Sequence, residues 1–249
     1  MENLNLQLKN VSYEYPDGFR AIDNLSFSLE RGENVALIGA NGAGKSTILK
    51  LLTGLFTAKE GKITIRGLEL NKKNLKNIRR EIGFIFQDSD NQLFMNTVYE
   101  DIAFGLRSLY RNEEIVNEKV NNILKKVSIE HLRDKHIYKL SGGQKRTVAI
   151  AGILAMDPGV ILMDEPTASL DPKSRRGIIN LLKILPQSKL IATHDLDMVL
   201  DLCHRAIVLS DGKIIAYGDA HTLLSNKKLM DRCNLELPLS MTAMGSGTD

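Results

Sequence analysis

Val35-Ala36-Leu37-Ile38-Gly39-Ala40-Asn41-Gly42-Ala43-Gly44-Lys45-Ser46-Thr47 is the stretch on which the fold turns. Its first four residues are a continuous apolar run, the pattern of a strand buried on both faces. Gly39 to Thr47 then fit G-x-x-x-x-G-K-[ST], a P-loop whose backbone N–H groups wrap nucleotide phosphates. Beyond it, Ile48, Leu51, Leu52 and Leu55 fall at i, i+3, i+4 and i+7, which predicts a helix. Strand, glycine loop and helix in that order are the context a true P-loop requires, and a glycine-rich surface turn would not follow a buried strand.

The rest of the chain builds an α/β frame around this loop. Leu4, Leu6 and Leu8 alternate with polar residues, Val11, Tyr13 and Tyr15 resume the period of two, and Pro16-Asp17-Gly18 ends the strand. Leu25, Phe27 and Leu29 alternate again, and Ile63–Ile65 and Ile82–Phe86 read as further strands. From Thr97 to about Ile150 charged helical patterns replace strand signals, most clearly over Glu113 to Val127. Strands resume at Val160–Met163, Leu190–Thr193, Ala206–Leu209 and Lys213–Tyr217, with helical segments between the first three. The expected organisation is one domain over residues 1–249. Residues 1–87 and 151–218 form its core, 88–150 a helical insertion, and 219–249 a C-terminal helix followed by a loose tail from Ser240.

Composition narrows the function classes. The 249 residues are 43% hydrophobic and 25% charged, an ordinary globular balance. A net charge of +3 argues against a dedicated nucleic-acid binder, and no nucleic-acid partner is expected. Cys203 and Cys233 lack metal-ligand spacing and read as small buried hydrophobes of a reducing compartment. Met1 to Leu8 carry no basic segment followed by an apolar run, and no stretch approaches the ~18–20 apolar residues of a membrane span. A role at a membrane would therefore require docking on a membrane partner.

Two further motifs accompany the P-loop. Val160-Ile-Leu-Met-Asp164-Glu165 is an apolar strand ending in two carboxylates, which a buried strand would deliver rigidly to the sheet's carboxyl edge. Leu140-Ser141-Gly142-Gly143-Gln144 would arise by chance in roughly one chain of this size in several thousand. Ser141 suits the N-cap of the helix that follows, and a helix start with two glycines exposes amides suited to an anion. With both glycine motifs in this order, the sequence resembles the ABC (ATP-binding cassette) ATPase family over nearly its whole length. The resemblance implies a P-loop NTPase core, a mixed sheet with an antiparallel N-terminal β part, and an inserted helical subdomain.

What the resemblance implies for individual residues is specific. Gly39, Ala40, Asn41, Gly42, Ala43, Gly44, Lys45, Ser46 and Thr47 would bind ATP, with Lys45 between β- and γ-phosphates and Thr47 towards the α-phosphate. Ser46, Asp164 and Gln87 would hold Mg²⁺, Glu165 would polarise the attacking water, and His194 would contact the γ-phosphate. Gln87 takes the position of the Q-loop glutamine, and Ser169-Leu170-Asp171 that of the D-loop. An aromatic residue would stack on adenine, Tyr15 beside Pro16 being preferred and Tyr13 the competitor. The family pairs two cassettes head to tail, so that Ser141, Gly142, Gly143 and Gln144 of one cover the γ-phosphate held by the other. A homodimer, or a heterodimer with a paralogue, is implied.

Within the family, Asp88-Ser89-Asp90-Asn91-Gln92 resembles the Gln-Asn-Pro-Asp-x-Gln segment of energy-coupling-factor (ECF) and cobalt/nickel importer ATPases. Asp90 and Gln92 match, while Ser89 stands for the usual proline and Asp88 for the asparagine. Thr193-His194-Asp195-Leu196 and Leu237-Pro238 also suit that subgroup. It implies a peripheral ATPase at the cytoplasmic face of the membrane, with integral membrane subunits docking near Gln87–Phe94 and the helical insertion. Its cargo would be cobalt, nickel or a vitamin. The alternatives are another ABC importer, an exporter, or a relative acting on nucleic acid or ribosomes. DNA-repair relatives place a long coiled coil between P-loop and signature, whereas Ser141 lies 96 positions after Lys45. Translation-factor relatives carry two cassettes per chain, and one is present here.

Overall fold

A computed structural model describes residues 4–242. In chain order the elements are β1 (Leu4–Glu14), β2 (Arg20–Glu30), β3 (Asn34–Gly39), α1 (Lys45–Leu52), β4 (Glu60–Ile65), β5 (Leu68–Glu69), α2 (Leu75–Glu81) and β6 (Ile82–Ile85). There follow α3 (Val98–Arg107), α4 (Glu113–Lys126), α5 (Gly142–Ala155), β7 (Val160–Asp164), α6 (Pro172–Ile184), β8 (Ser188–Ala192) and α7 (Leu196–Leu202). β9 (Arg205–Ser210), β10 (Lys213–Asp219), α8 (Ala220–Leu224), α9 (Lys227–Arg232) and α10 (Leu239–Thr242) complete the chain. It divides into two compact units, one of Met1–Ile82, Gly159–Glu165 and Pro186–Asp249, the other of Gly83–Pro158 and Pro166–Leu185.

In the first unit, five strands run in the order β10-β9-β3-β8-β7. β3 pairs parallel with β8 and β9, and β8 parallel with β7, while β10 returns antiparallel to β9. Val35–Ile38, Val160–Met163 and Ala206–Leu209 are wholly buried, as their unbroken apolar runs require of strands covered on both faces. Parallel pairing sets the ends of β3, β7 and β8 along one edge, the position at which α/β sheets hold ligands. α1 packs Ile48, Leu49, Leu51 and Leu52 inward.

A second, antiparallel sheet in the same unit has the order β2-β1-β4-β5. The apolar period of β1 slips between Leu8 and Val11, and the pairing shifts register with it. Asn10 takes φ 52 there, so a bulge realigns Val11 with the buried face. Gly61 lies against the Asn10 carbonyl so closely that a Cβ would not fit. α2 and β5 have no counterpart in the apolar periodicity, because α2 buries Ile78 alone and β5 buries neither residue.

The second unit is helical around α3, α4 and α5. Thr97 caps α3 and Asn112 caps α4. α4 starts with Glu113 and Glu114 and ends with Lys125 and Lys126, each pair complementing the helix dipole. Its buried stripe is Val116, Val120, Ile123 and Leu124. From the segment expected as a loose tail, Ser240–Thr242 close α10, and residues 243–249 lie outside the described residues. No helix among the described residues is long and apolar enough to cross a membrane. Both cysteines are free and buried, and burial pushes the Cys203 thiol up to about 12.

Candidate nucleotide site

β3 runs into the glycine loop, and Gly42 and Gly44 adopt φ 83 and φ 105. A Cβ on Gly44 would stand 2.8 Å from Ile22 Cδ1 and 3.1 Å from the Ala21 carbonyl oxygen, so strain and sterics both demand glycine. Gly44 is also the N-cap of α1, which receives no side-chain cap. The positive end of the α1 dipole and its first-turn amides thus face the loop without a side-chain acceptor. Lys45 is buried and donates to the carbonyls of Gly39 (2.6 Å) and Ala40 (3.1 Å). Burial lowers its pKa, while the negative charges of Glu165 and Asp164 work in the opposite direction.

β7 brings Asp164 and Glu165 to the same edge. Ser46 Oγ donates to Asp164 Oδ2 at 3.1 Å, closing a contact between α1 and the strand end. Burial raises the Asp164 pKa; the Ser46 hydrogen bond lowers it and the neighbouring Glu165 charge raises it. The two oxygens form a hard donor pair of the kind that suits Mg²⁺, which binds through one or two protein oxygens and takes the remainder from phosphates and water. The residues present therefore fit the ion.

Glu165 is held differently from its neighbour. It is buried at φ 48, a left-handed conformation costing a non-glycine residue about 1–3 kcal/mol. Its amide still extends the ladder, donating to the Ala192 carbonyl at 2.8 Å. Oε2 accepts from Thr193 Oγ1 (3.0 Å) and from the His194 amide (3.3 Å), and Oε1 lies 2.8 Å from His194 Nδ1. Thr193 is fully buried, whereas the His194 side chain is 71% exposed. Glu165 and His194, at the ends of parallel strands, thus form one hydrogen-bonded unit. Thr193, which the sequence reading left without a role, anchors it.

The two candidate aromatics differ in reach. Tyr15 Oη and Thr47 Oγ1 are 2.9 Å apart, so the Tyr15 ring stands at the start of α1. Tyr13 lies flat on Phe56, with centroids 4.9 Å apart and planes 4° from parallel, and meets Tyr15 edge-on at 5.1 Å. Phe56 was not legible as part of the site, since a single aromatic after a helix carries no pattern.

The remaining expected residues belong to the second unit. Gln87 is exposed in the loop after β6. Arg146 of α5 donates through Nη1 to the Phe86 carbonyl and through Nη2 to the Gln87 carbonyl, clasping the backbone at that glutamine. Burial lowers the Arg146 pKa, with the Asp88 charge opposing. A charged residue on the buried face of α5 was the one available signal of this clasp. Asp88 caps the following turn, Gln92 accepts from the Phe86 amide at 3.2 Å, and Lys145 pairs with Asp90 at 2.5 Å. Ser141 and Gln144 make a complete capping box at the start of α5: Gln144 N donates to Ser141 Oγ (3.3 Å) and Ser141 N to Gln144 Oε1 (3.1 Å). Gly143 lies so close to Ser174 that no Cβ fits, and Asp171 caps α6 by accepting from the amides of Lys173 and Ser174. Hydrogen bonds from Ser174 and these amides hold its carboxylate below the usual range. The signature and D-loop residues therefore meet within this unit.

The ABC transporter family profile matches residues 22–168, more than half of the chain. The chain belongs to the ABC transporter family. It is similar to the energy-coupling factor transporter ATP-binding protein EcfA of Carboxydothermus hydrogenoformans, 39% identical over 95% of this chain and 88% of that protein. Among solved structures, cbiO1 of Clostridium perfringens, part of the ABC transporter complex cbiONQ, superposes with a TM-score of 0.86 at 38% identity, over 98% of this chain and 100% of that one. A dimeric ATP-binding cassette in a post-hydrolysis state, bound to ADP and Pi, gives a TM-score of 0.77 at 33% identity, over 86% and 98% of the two chains. This chain has the ABC cassette fold and is an ATP-hydrolysing ABC transporter subunit.

Proposed function

We propose that this ABC subunit is the motor of an ECF-type importer, driving uptake of cobalt, nickel or a vitamin from the cytoplasmic face of the membrane. The observation that carries the catalytic part is Glu165, buried at positive φ and bonded by Thr193 and His194 beside the P-loop. Thus fixed, its carboxylate accepts a proton from the attacking water and aims it at the γ-phosphate, with His194 at the same phosphate. Lys45 and the α1 amides hold the phosphates. Mg²⁺, held by Ser46 and Asp164 with Gln87, would neutralise charge on the β- and γ-phosphate oxygens.

One P-loop and one signature per chain favour a head-to-tail dimer, of two copies or of this chain with a paralogue. Ser141–Gln144 of each would close over ATP held by the other, and the dimeric relative supports this arrangement. Asp90 and Gln92, together with the EcfA relative and the cbiO1 neighbour, support the ECF subgroup. Membrane subunits would then dock near Gln87–Phe94 and the helical insertion, so that closing around ATP moves them.

Uptake of labelled cobalt, nickel and vitamins into cells with and without the chain tests the reading. Loss of one of these on deletion, not restored by Glu165→Gln, is expected. Unchanged uptake of all of them would reject the importer assignment.

A further inference from the structure

We propose that Phe19 is a second aromatic wall of the nucleobase site, so that the base is held between Tyr15 and Phe19. The inference rests on the reading of Tyr15 as the adenine-stacking residue, and extends it to a residue that neither pattern nor motif singles out.

The β1–β2 hairpin dictates the geometry. Its loop closes through Gly18 N donating to the Tyr15 carbonyl (2.9 Å), with Gly18 at φ 87. Tyr15 N donates to the Phe19 carbonyl (2.9 Å), and Asp17 Oδ1 accepts from Phe19 N (3.0 Å). Tyr15 and Phe19 are therefore paired directly across the turn. Their rings lie 19° from parallel with centroids 6.4 Å apart. Stacked bases repeat at about 3.4 Å, so a base inserted between two rings needs roughly twice that spacing. The separation of the ring centroids, 6.4 Å, is close to that figure.

The two walls differ in stiffness. Tyr15 is tied to Thr47 by its hydroxyl and buttressed edge-on by Tyr13 (5.1 Å, 80°) and Phe56 (5.7 Å, 84°). Those two rings brace each other, and Lys50 Nζ lies 5.4 Å from the Phe56 centroid. Phe19 is 61% exposed on the hairpin tip, where it can adjust to a base. An exposed phenylalanine gains by covering its face, and a base offers that cover. Recognition between two π-faces reads the face of a purine and leaves its hydrogen-bonding edge unread. Adenine and guanine nucleotides would both profit from Phe19.

Calorimetric titration of the full chain with ATP, GTP and tripolyphosphate, each with Mg²⁺, tests this. Phe19→Ala should weaken ATP and GTP binding by the same factor, about fivefold or more, and leave tripolyphosphate binding as in the wild type. Phe19→Trp should keep ATP affinity within about twofold. Tyr15→Ala weakening ATP while Phe19→Ala does not would overturn the second wall alone. Indifference of ATP binding to Tyr15→Ala would overturn the adenine reading and this inference with it. Equal weakening of tripolyphosphate by Phe19→Ala would reduce Phe19 to a support of the hairpin.

Discussion

The chain contains two glycine-rich helix starts, and they are finished in opposite ways. At α1 the N-cap is Gly44, left-handed and without a side chain, so the first-turn amides meet no acceptor from the chain's own side chains. At α5 the N-cap is Ser141, and Ser141 and Gln144 satisfy each other's amides in a capping box. Both helix starts carry dipole and amides suited to an anion, yet only the first is built as a cradle. The second is a finished helix start in which Gly143 alone serves close approach, admitting Ser174, while Gly142 has Leu170 Cδ2 no nearer than 3.9 Å. The lesson is that glycine in the first loop is required by backbone geometry, and at Gly143 in the second by what must come near.

The two units also bury charge differently. The first buries Lys45, Glu165 and Lys189 beside a half-buried Asp164; in the second, among the described residues, the buried cation is Arg146. The proposed catalysis draws on the former set, and the largest predicted effect tests it. Glu165→Gln should lower kcat by about 10²- to 10⁴-fold and trap an ATP-bound dimer, read by steady-state hydrolysis and by size-exclusion chromatography with ATP. Hydrolysis at the wild-type rate would remove Glu165 from the chemistry. Ser141→Arg should likewise block turnover while nucleotide binding by the single chain persists, which calorimetry separates from activity. Full activity in that variant would confine the α5 start to a structural role.

Stability measurements sharpen the same contrast. Gly44→Ala forces a side chain into φ 105 against Ile22 and Ala21, and should cost about 2 kcal/mol or more, lowering Tm by roughly 4 °C or more. Gly142→Ala meets no obstacle and should stay within about 1 kcal/mol of the wild type in thermal unfolding. Equal destabilisation would erase the difference between the two helix starts.

The smallest effect concerns Lys189, buried on β8 and donating to Asn34 Oδ1 (3.0 Å) and the Gln187 carbonyl (2.9 Å). Burial lowers its pKa to about 8, with the Cys203 charge opposing. Between that value and the ordinary 10.5, the folded chain binds fewer protons at this site than the unfolded one, so stability rises with pH across the window and falls as pH drops through 8. Relative to Lys189→Met, the wild type should gain on the order of 1–2 kcal/mol between pH 8 and 10.5 in denaturant unfolding. A pH-independent difference would show that Lys189 does not titrate there.

Much of this was written in local sequence. The apolar runs of β3, β7, β8 and β9 identify strands covered on both faces, and parallel pairing of such strands aligns their ends without further information. The ring roles were not so written. Tyr13 and Tyr15 share a period, and only the position of Phe56 and Thr47 separates the ring stacked on Phe56 from the one that reaches the P-loop. α2 stayed hidden because one buried residue makes no period.

By itself the sequence determined the elements whose burial follows a short repeat and the loops whose glycines have no substitute, because both depend on neighbours along the chain. Tertiary structure alone decided that Thr193 and His194 hold Glu165, that Arg146 clasps the carbonyls of Phe86 and Gln87, and that Phe19 faces Tyr15. In the first two cases the partners come from different strands, helices or loops, and no one-dimensional period encodes the distance between such elements; in the third, the closure of one turn sets the two rings face to face.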